Sequence, residues 1–90
     1  MIYYMDINEL IAIIKKKLEN KINIENINIE DKTFLHKNHL GNEKGKYHLK
    51  LTVTSKELKS MNKLECNRKI HKVIQNELKD HIHSIQILIS

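Results

Sequence analysis

The last twelve residues, 79–90, read "KDHIHSIQILIS" and predict a β-strand from Ile82 to Ile89, because apolar and polar residues alternate along them. Successive side chains of a strand point to opposite faces, so we expect His83 to share a face with Ile85, Ile87 and Ile89. A histidine at the start of an apolar face is either a core residue hydrogen-bonded to the backbone or a ligand held on a rigid edge. The rest of the sequence has to decide between these two roles.

Two upstream segments also alternate as strands do. The first is "INIENINIED" (residues 22–31), in which Ile27 and Ile29 belong to one face. The second is "KYHLKLTVTS" (residues 46–55), whose apolar and polar residues alternate more regularly. One apolar and one polar face are typical of an antiparallel pair with helices on one side only. The residues expected to point inward are Tyr47, Leu49, Leu51 and Val53, and those expected to point outward are His48, Lys50, Thr52 and Thr54.

Helices are predicted before and after these strands. "DINELIAIIKKKLENK" (residues 6–21) has apolar residues three and four apart, with Asp6 as N-cap and Glu9 in the position of a capping box. Ser55 is a good N-cap for a short helical turn, "KELKSM". A longer helix then begins at Asn62 or Lys63 and ends near residue 79. The predicted order of elements is αββααβ.

The segment between the two upstream strands, "KTFLHKNHLGNEKGK" (residues 32–46), is too long for a tight hairpin. Loops of this length are usually functional or mobile. Two of the six histidines of the chain, His36 and His39, lie in it. Residues 1–5 are expected either to be disordered or to extend the first helix.

Composition indicates one small domain, residues 1–90. Ninety residues with 40% hydrophobic content can build one modest core. We find no apolar run of the length that a membrane span needs, so no membrane partner is expected. The single cysteine, Cys66, excludes an internal disulfide framework and is typical of a reducing compartment. We expect a cytoplasmic protein that is a monomer when alone, with a mitochondrial or other organellar location also open.

The sequence lacks the motifs on which common enzyme sites are built. It contains no nucleophile elbow, no phosphate-binding glycine loop, no H-E-x-x-H and no plausible carboxylate pair. A pairing of Cys66 with His71 would have no evident oxyanion hole. We therefore expect a binding protein with no catalytic residues.

The chain resembles the BolA-like family over nearly all of its length. The resemblance rests on "IEDKTFLH" (29–36) followed by a glycine-containing loop, on "YHLKLTVTS" (47–55), and above all on "NELKDHIHSIQI" (76–87). The last segment is similar to the family's helix end followed by its [I/V]-H-[A/S]-[L/I] strand start. The resemblance implies an α+β fold, a three-stranded mixed sheet with helices on one face. This fold is similar to a class II K-homology domain without the G-x-x-G loop.

The resemblance also implies a function. Family members are associated with monothiol glutaredoxins and with iron–sulfur or iron homeostasis. His83 aligns with a strand-initial histidine that ligates a [2Fe–2S] cluster shared with glutaredoxin and glutathione, so the isolated chain is expected to hold no cluster. His36 falls where the family's loop carries a second ligand, and His39 is a competitor for that role. Cys66 is a less favoured ligand, since an inert half-buried thiol is commoner.

One departure from the family stands at the start of the long helix. The family's R-H-R aligns with Cys66, Asn67 and Arg68, so only the second arginine is kept. Any role that rests on the family's histidine there is in doubt. Of the other histidines, we expect a surface or supporting role for His48, half-buried packing for His71 and exposure for His81.

Two alternatives to the cluster remain open. Some bacterial family members are associated with transcriptional control, and the net charge of +5 and the basic region 55–79 fit a nucleic-acid-binding regulator. Two consecutive helices with a turn resemble helix-turn-helix geometry. The binding residues would then be Lys63, Arg68, Lys69 and Lys72. A zinc site built from His36, His39 and His83 is the other alternative, because zinc accepts imidazole readily.

Overall fold

The structure, a computed structural model, describes residues 5–33 and 46–90. These residues form four helices and three strands, which are numbered in chain order. The elements are α1 (Ile7–Lys21), β1 (Asn26–Asp31), β2 (Tyr47–Thr54), α2 (Lys56–Lys59), α3 (Lys63–Val73), α4 (Gln75–Asp80) and β3 (Ile82–Ile89).

The three strands form one mixed sheet in the order β1-β2-β3. β1 is antiparallel to β2, with Ile29 opposite Leu51, and β2 is parallel to β3, with Leu51 also opposite Ile87. The predicted α+β class, the mixed sheet and the bounds of β3 are confirmed. So is the inward face of β2, where Leu49, Leu51 and Val53 are buried.

The helices cover one face of the sheet. α1 contributes Leu10, Ile14 and Leu18, all fully buried, at the spacing that places them on one side of a helix. Ile70 and Ile74 reach the same core from the C-terminal half of the chain. Within the described residues, the opposite face of the sheet carries no helix. It presents mostly polar side chains, among them Asn28, Glu30, His48, Lys50, Thr52 and Gln86.

Capping side chains fix where the helices begin. The Asp6 carboxylate accepts hydrogen bonds from the backbone N–H groups of Asn8 (3.0 Å) and Glu9 (3.3 Å), which confirms the predicted N-cap of α1. Ser55 Oγ accepts from the N–H of Leu58 at 3.1 Å and donates to the carbonyl of Asn23 at 2.7 Å. A single hydroxyl thereby caps α2 and ties it to the segment that leads into β1.

The predicted long helix is two helices in succession. α3 ends at Val73, and Ile74, with φ −106° and ψ 27°, leaves helical geometry before α4 begins. Hydrogen bonds to the fourth residue back continue across this point, from Ile74 to Ile70 and from Leu78 to Ile74. The interruption is therefore a local distortion, and α4 still delivers the chain to the start of β3.

No helix of the described residues is long and apolar enough to cross a membrane.

Candidate functional site

A β-bulge at the start of β3 sets the direction of His83. The parallel register pairs Tyr47 with Ile82 and His48 with Ser84, so His83 is an extra residue on β3. A bulge of this kind breaks the alternation of a strand and re-aims side chains. Ile82 is buried at 4% exposure, whereas His83 is exposed.

The predicted face of His83 was therefore wrong. Strict alternation placed it with Ile85, Ile87 and Ile89, but the extra residue turns it away from them. Those three isoleucines pack against the core, and the imidazole of His83 instead meets His48, which lies on the sheet face without helices. His83 is therefore exposed and is not a core residue.

The imidazole of His83 packs against the imidazole of His48. The two ring centroids are 4.7 Å apart, with the ring planes tilted by 30°. His48 Nδ1 lies 2.7 Å from Ser84 Oγ, so the hydroxyl following His83 in sequence fixes the neighbouring imidazole. His48 is only 7% exposed, although it lies on the polar side of β2. The expected supporting role of His48 thus has a geometric basis, while its expected surface position does not hold.

The residues that follow β1 are hydrogen-bonded to the backbone of His48. The backbone N–H of His48 donates to Thr33 Oγ1 at 3.1 Å, and the N–H of Lys32 donates to the carbonyl of His48 at 2.7 Å. Asp31 in turn accepts from the N–H of Thr33 at 2.9 Å and from the Thr33 hydroxyl. Thr33, at which the described segment 5–33 ends, is therefore hydrogen-bonded to the backbone of His48.

The two predicted loop ligands, His36 and His39, lie outside the described residues. Within residues 5–33 and 46–90, no group of three or more histidine, cysteine, aspartate or glutamate side chains is arranged to hold a metal ion. In the described part, His83 and His48 are the imidazoles that the fold brings into contact.

Cys66 lies elsewhere in the molecule. Its side chain is part of the core on the helix-covered face and is 3% exposed, and its thiol donates to the carbonyl of Leu58 at 2.9 Å. The structure does not bring Cys66 together with His83, which points to the other side of the sheet. This position agrees with the expectation of an inert thiol.

Two other histidines differ from expectation. His71 was expected to be half-buried but is exposed, because the inward positions of α3 are occupied by Cys66 and Ile70. His81 was expected to be exposed but is half-buried. It is the C-cap of α4, and its backbone N–H donates to the carbonyl of Glu77.

The helix-turn-helix interpretation of residues 55–79 is not supported by the geometry. α2 is a single turn of four residues, Lys56–Lys59, which is too short to act as the first helix of such a motif. Lys63, Arg68 and Lys72 are exposed, in agreement with a solvated basic surface.

Lys69, the remaining predicted nucleic-acid contact, is held by an ion pair. Its Nζ lies 2.6 Å from Glu57 Oε2, and Glu57 Oε1 accepts from the N–H of Asn23 at 3.0 Å. The hydrogen bond from Lys69 and then that from Asn23 lower the pKa of the Glu57 carboxyl. Lys69 therefore has an internal structural role between α3 and α2.

The sequence interpretation missed His48 as the neighbour of His83. The two residues are 35 positions apart, and only the parallel register of β2 and β3 brings them together. A signal for the bulge was present, however. Ile82 and Ile85 are three residues apart, whereas the later isoleucines of β3 are two apart, so both cannot face inward from a regular strand.

Solved structures with this arrangement are BolA domains. The BolA domain of SufE1 from Arabidopsis thaliana superimposes with a TM-score of 0.73 at 24% identity, covering 88% of this chain and 87% of that one. BolA1 from Arabidopsis thaliana gives 0.72 at 22% identity, with coverage of 88% and 87%. BolA1 protein from Mus musculus gives 0.71 at 23% identity, with coverage of 88% and 62%. At these identities the likeness establishes the fold.

The sequence pattern of the family described as BolA-like protein matches residues 18–90. The chain therefore belongs to the BolA-like family, as its segments 29–36, 47–55 and 76–87 suggested. No curated protein matches the chain in sequence.

Proposed function

We propose that this protein pairs with a monothiol glutaredoxin and glutathione to share a [2Fe–2S] cluster, in cluster trafficking or iron regulation. The observation that carries the proposal is the exposed imidazole of His83, which a bulge turns out of the core onto the open face of the sheet. It is held on a strand and not on a mobile segment, which favours a ligand position over a solvated one.

The donor set fits a shared cluster better than one held by this chain alone. A [2Fe–2S] cluster needs four ligands, and two imidazoles on one iron occur in Rieske centres. The described residues bring two imidazoles into contact, and the chain's one thiol, that of Cys66, is on the other side of the sheet. The missing thiolates would come from the partner and from glutathione.

His48 would act as support for His83 within this site. A ligating histidine is usually oriented by its surroundings, and His48 is itself fixed by Ser84 Oγ at 2.7 Å. The ring contact restricts the orientations open to His83 before the partner arrives. Orientation fixed in advance lowers the entropy lost on complex formation.

Chain connectivity supports His36 as the second ligand. Thr33 is hydrogen-bonded to the backbone of His48, and position 36 follows three residues later. An extended chain spans at most about 3.6 Å per residue, so the Cα atom of position 36 is tethered within roughly 11 Å of that of Thr33. This distance permits a loop imidazole to meet His83. His39, farther along the chain, is less restricted.

The test is titration of a glutaredoxin-bound [2Fe–2S] cluster with this protein, followed by visible absorption and circular dichroism. The parent should change the spectrum, His83→Ala should not, and His36→Ala should change it less than the parent does. His71→Ala is the matched control, since His71 is exposed on α3 and away from the sheet's open face.

Each outcome of that titration has a clear meaning. A spectrum for His83→Ala identical to that of the parent would refute the ligand assignment. A loss of effect in His71→Ala as well would mean that the interaction also needs α3 and that the effect is not specific to His83. Zinc loading of the parent without glutaredoxin, followed by NMR of the histidine ring protons, distinguishes a simple zinc site involving His36, His39 and His83 from the shared cluster.

Nucleic-acid binding is a second candidate, favoured by one observation. A groove of about 610 Å³ between α1 and α3 is lined by four lysines. Lys17 and Lys69 are in ion pairs, whereas Lys21 and Lys72 have no carboxylate partner within the described residues. Phosphate contacts would give binding to duplex DNA at about 50 mM salt that falls steeply by about 200 mM. Absence of binding at the lower salt rejects this candidate.

A further inference from the structure

The outer edge of β3 lacks the features that usually protect a sheet edge, whereas the outer edge of β1 has them. Native sheets usually protect their edges with charged residues, proline, bulges or short strands. β1 is six residues long and ends in Glu30 and Asp31. β3 is eight residues long, and from Ser84 to Ile89 it contains no charge, no proline and no glycine.

The backbone of β3 offers hydrogen-bonding groups along that edge. The N–H of Ser90 donates to the carbonyl of Val53, and the carbonyl of Ser90 accepts from the N–H of Ser55. Both backbone groups of Ser90 therefore point towards β2. Backbone groups of a parallel strand alternate between its two sides. The N–H and carbonyl groups of Ile85, Ile87 and Ile89 therefore point away from β2. In the described residues no strand lies on that side.

An apolar groove adjoins the same edge. It has a volume of about 370 Å³ and lies between the C-terminal half of β3 and the segment from α2 to the first turns of α3. Ile87, Ile89 and Leu58 line its apolar part together with Met61, and Cys66 lies at its base. Side chains on alternate positions of an added strand would enter this groove, because they point to the same face as Ile87 and Ile89.

The rim of the groove is positively charged. Lys59 and Lys63 line it, both are exposed, and neither has an ion-pair partner in the described residues. A second copy of the chain is a poor occupant, since each copy has a net charge of +5 and would bring its own lysines to the interface. An occupant with acidic residues beside its apolar ones complements the rim.

We propose that the outer edge of β3 binds an extended, acidic–apolar segment of a partner protein as a fourth strand. Backbone hydrogen bonds to Ile85, Ile87 and Ile89 would provide the pairing, and the groove and rim lysines would select the side chains. The groove lies towards the end of β3 opposite to His83. Positions 83 and 89 are six residues apart, or roughly 20 Å at the rise of a strand, so the groove is separate from the histidine site, whereas Ile85 is two residues from His83.

The probe is a capped synthetic peptide in which valines alternate with threonines between pairs of glutamates. Added to the ¹⁵N-labelled protein, it should shift the amide signals of β3 and of the groove, and should slow hydrogen exchange at Ile87 and Ile89. The same peptide with a central proline, which removes a backbone donor, should bind much more weakly.

Variants of the protein test the rim. The double variant Lys59→Glu and Lys63→Glu should weaken peptide binding about tenfold at low salt, the size expected for two exposed ion pairs. The matched control is Lys16→Glu with Lys79→Glu, a pair of exposed lysines that do not line this groove and should leave the affinity unchanged. Because all four lysines are exposed, folding should survive each substitution, and far-UV circular dichroism checks it.

Three results would overturn the proposal. The first is the absence of any shift at millimolar peptide. The second is slow exchange of the Ile87 and Ile89 amides in the protein alone at low concentration, which would mean that the chain itself covers this edge. The third is concentration-dependent protection without peptide, which would identify a second copy as the occupant.

Discussion

The ion pair between α1 and α4 should make a measurable contribution to stability. Lys17 Nζ lies 2.7 Å from Glu77 Oε2, and the two side chains are 39% and 9% exposed. Glu77 Oε1 is buried and has no hydrogen-bond partner among the described residues. Replacing Lys17 by methionine therefore leaves a carboxylate that is largely shielded from water and has lost its only ion-pair partner in the described residues.

The magnitude follows from the burial of the two groups. Removing one partner of a fully buried pair costs about 3–5 kcal/mol, and an exposed pair contributes about 0.2–1 kcal/mol. Since Glu77 is buried but Lys17 is partly exposed, we expect Lys17→Met to lower the free energy of unfolding by about 2 kcal/mol. For a domain of this size that corresponds to a fall in Tm of roughly 8–16 °C.

The ranking of variants by their free energy of unfolding tests the role of the buried Glu77 carboxylate more sharply than the size of one effect does. Glu77→Leu removes the buried charge and with it the free-energy penalty of its desolvation. It should therefore lower the free energy of unfolding by less than Lys17→Met does, and the double variant should have a stability close to that of Glu77→Leu. Lys16→Met, at an exposed neighbouring position, is the control and should change stability by less than about 0.5 kcal/mol.

The assay is urea unfolding followed by far-UV circular dichroism, with the slope against urea compared among variants. If Glu77→Leu is more damaging than Lys17→Met, or if Lys17→Met behaves like Lys16→Met, the argument from a stranded carboxylate is refuted. The result also bears on the histidine site, because α4 carries Glu77 and leads directly into Ile82 and His83.

Three further predictions concern single groups. The Glu57 carboxyl should titrate below the ordinary glutamate pKa in ¹³C NMR, and Lys69→Met should raise that pKa. Because folding lowers the pKa of Glu57, the ionised carboxylate stabilises the fold at pH values above its unfolded-state pKa. This stabilisation is lost as pH falls through the folded-state pKa. The pKa of Tyr47 is raised by burial, and its hydroxyl donates to the carbonyl of Met5 at 2.6 Å, so Tyr47 should ionise above the ordinary tyrosine value in an ultraviolet titration. Because folding raises this pKa, the stabilisation linked to the protonated hydroxyl is present below the unfolded value and is lost as pH rises through the folded pKa. Cys66, 3% exposed, should react with a thiol reagent many times more slowly in the native protein than in urea, and equal rates would contradict its burial.

The sequence predicted the elements of the fold well because its signals were local. Apolar spacing and the Asp6 cap placed α1, and alternation placed β2 and β3 within a residue of their bounds. Ser55 marked the start of α2. The distortion at Ile74 was not predicted, because neither proline nor glycine marks it in the sequence.

The site was harder to predict because it depends on pairing between distant segments. His83 was identified as a candidate, but its direction depends on a bulge, and its contact with His48 depends on the parallel register of two strands. Neither is a property of a local window of sequence. The hydrogen bonds of His48 likewise involve Thr33 and Ser84, which come from two other parts of the chain.

The bulge at His83 allows both Ile82 and Ile85 to face the core, which residues three apart cannot do in a regular strand. His83 lies between them and is exposed. Deleting His83 would give a strand with uninterrupted alternation and a continuous isoleucine face, but it would remove the outward imidazole. The irregularity therefore lets one eight-residue strand carry four inward isoleucines, Ile82, Ile85, Ile87 and Ile89, and also an outward imidazole.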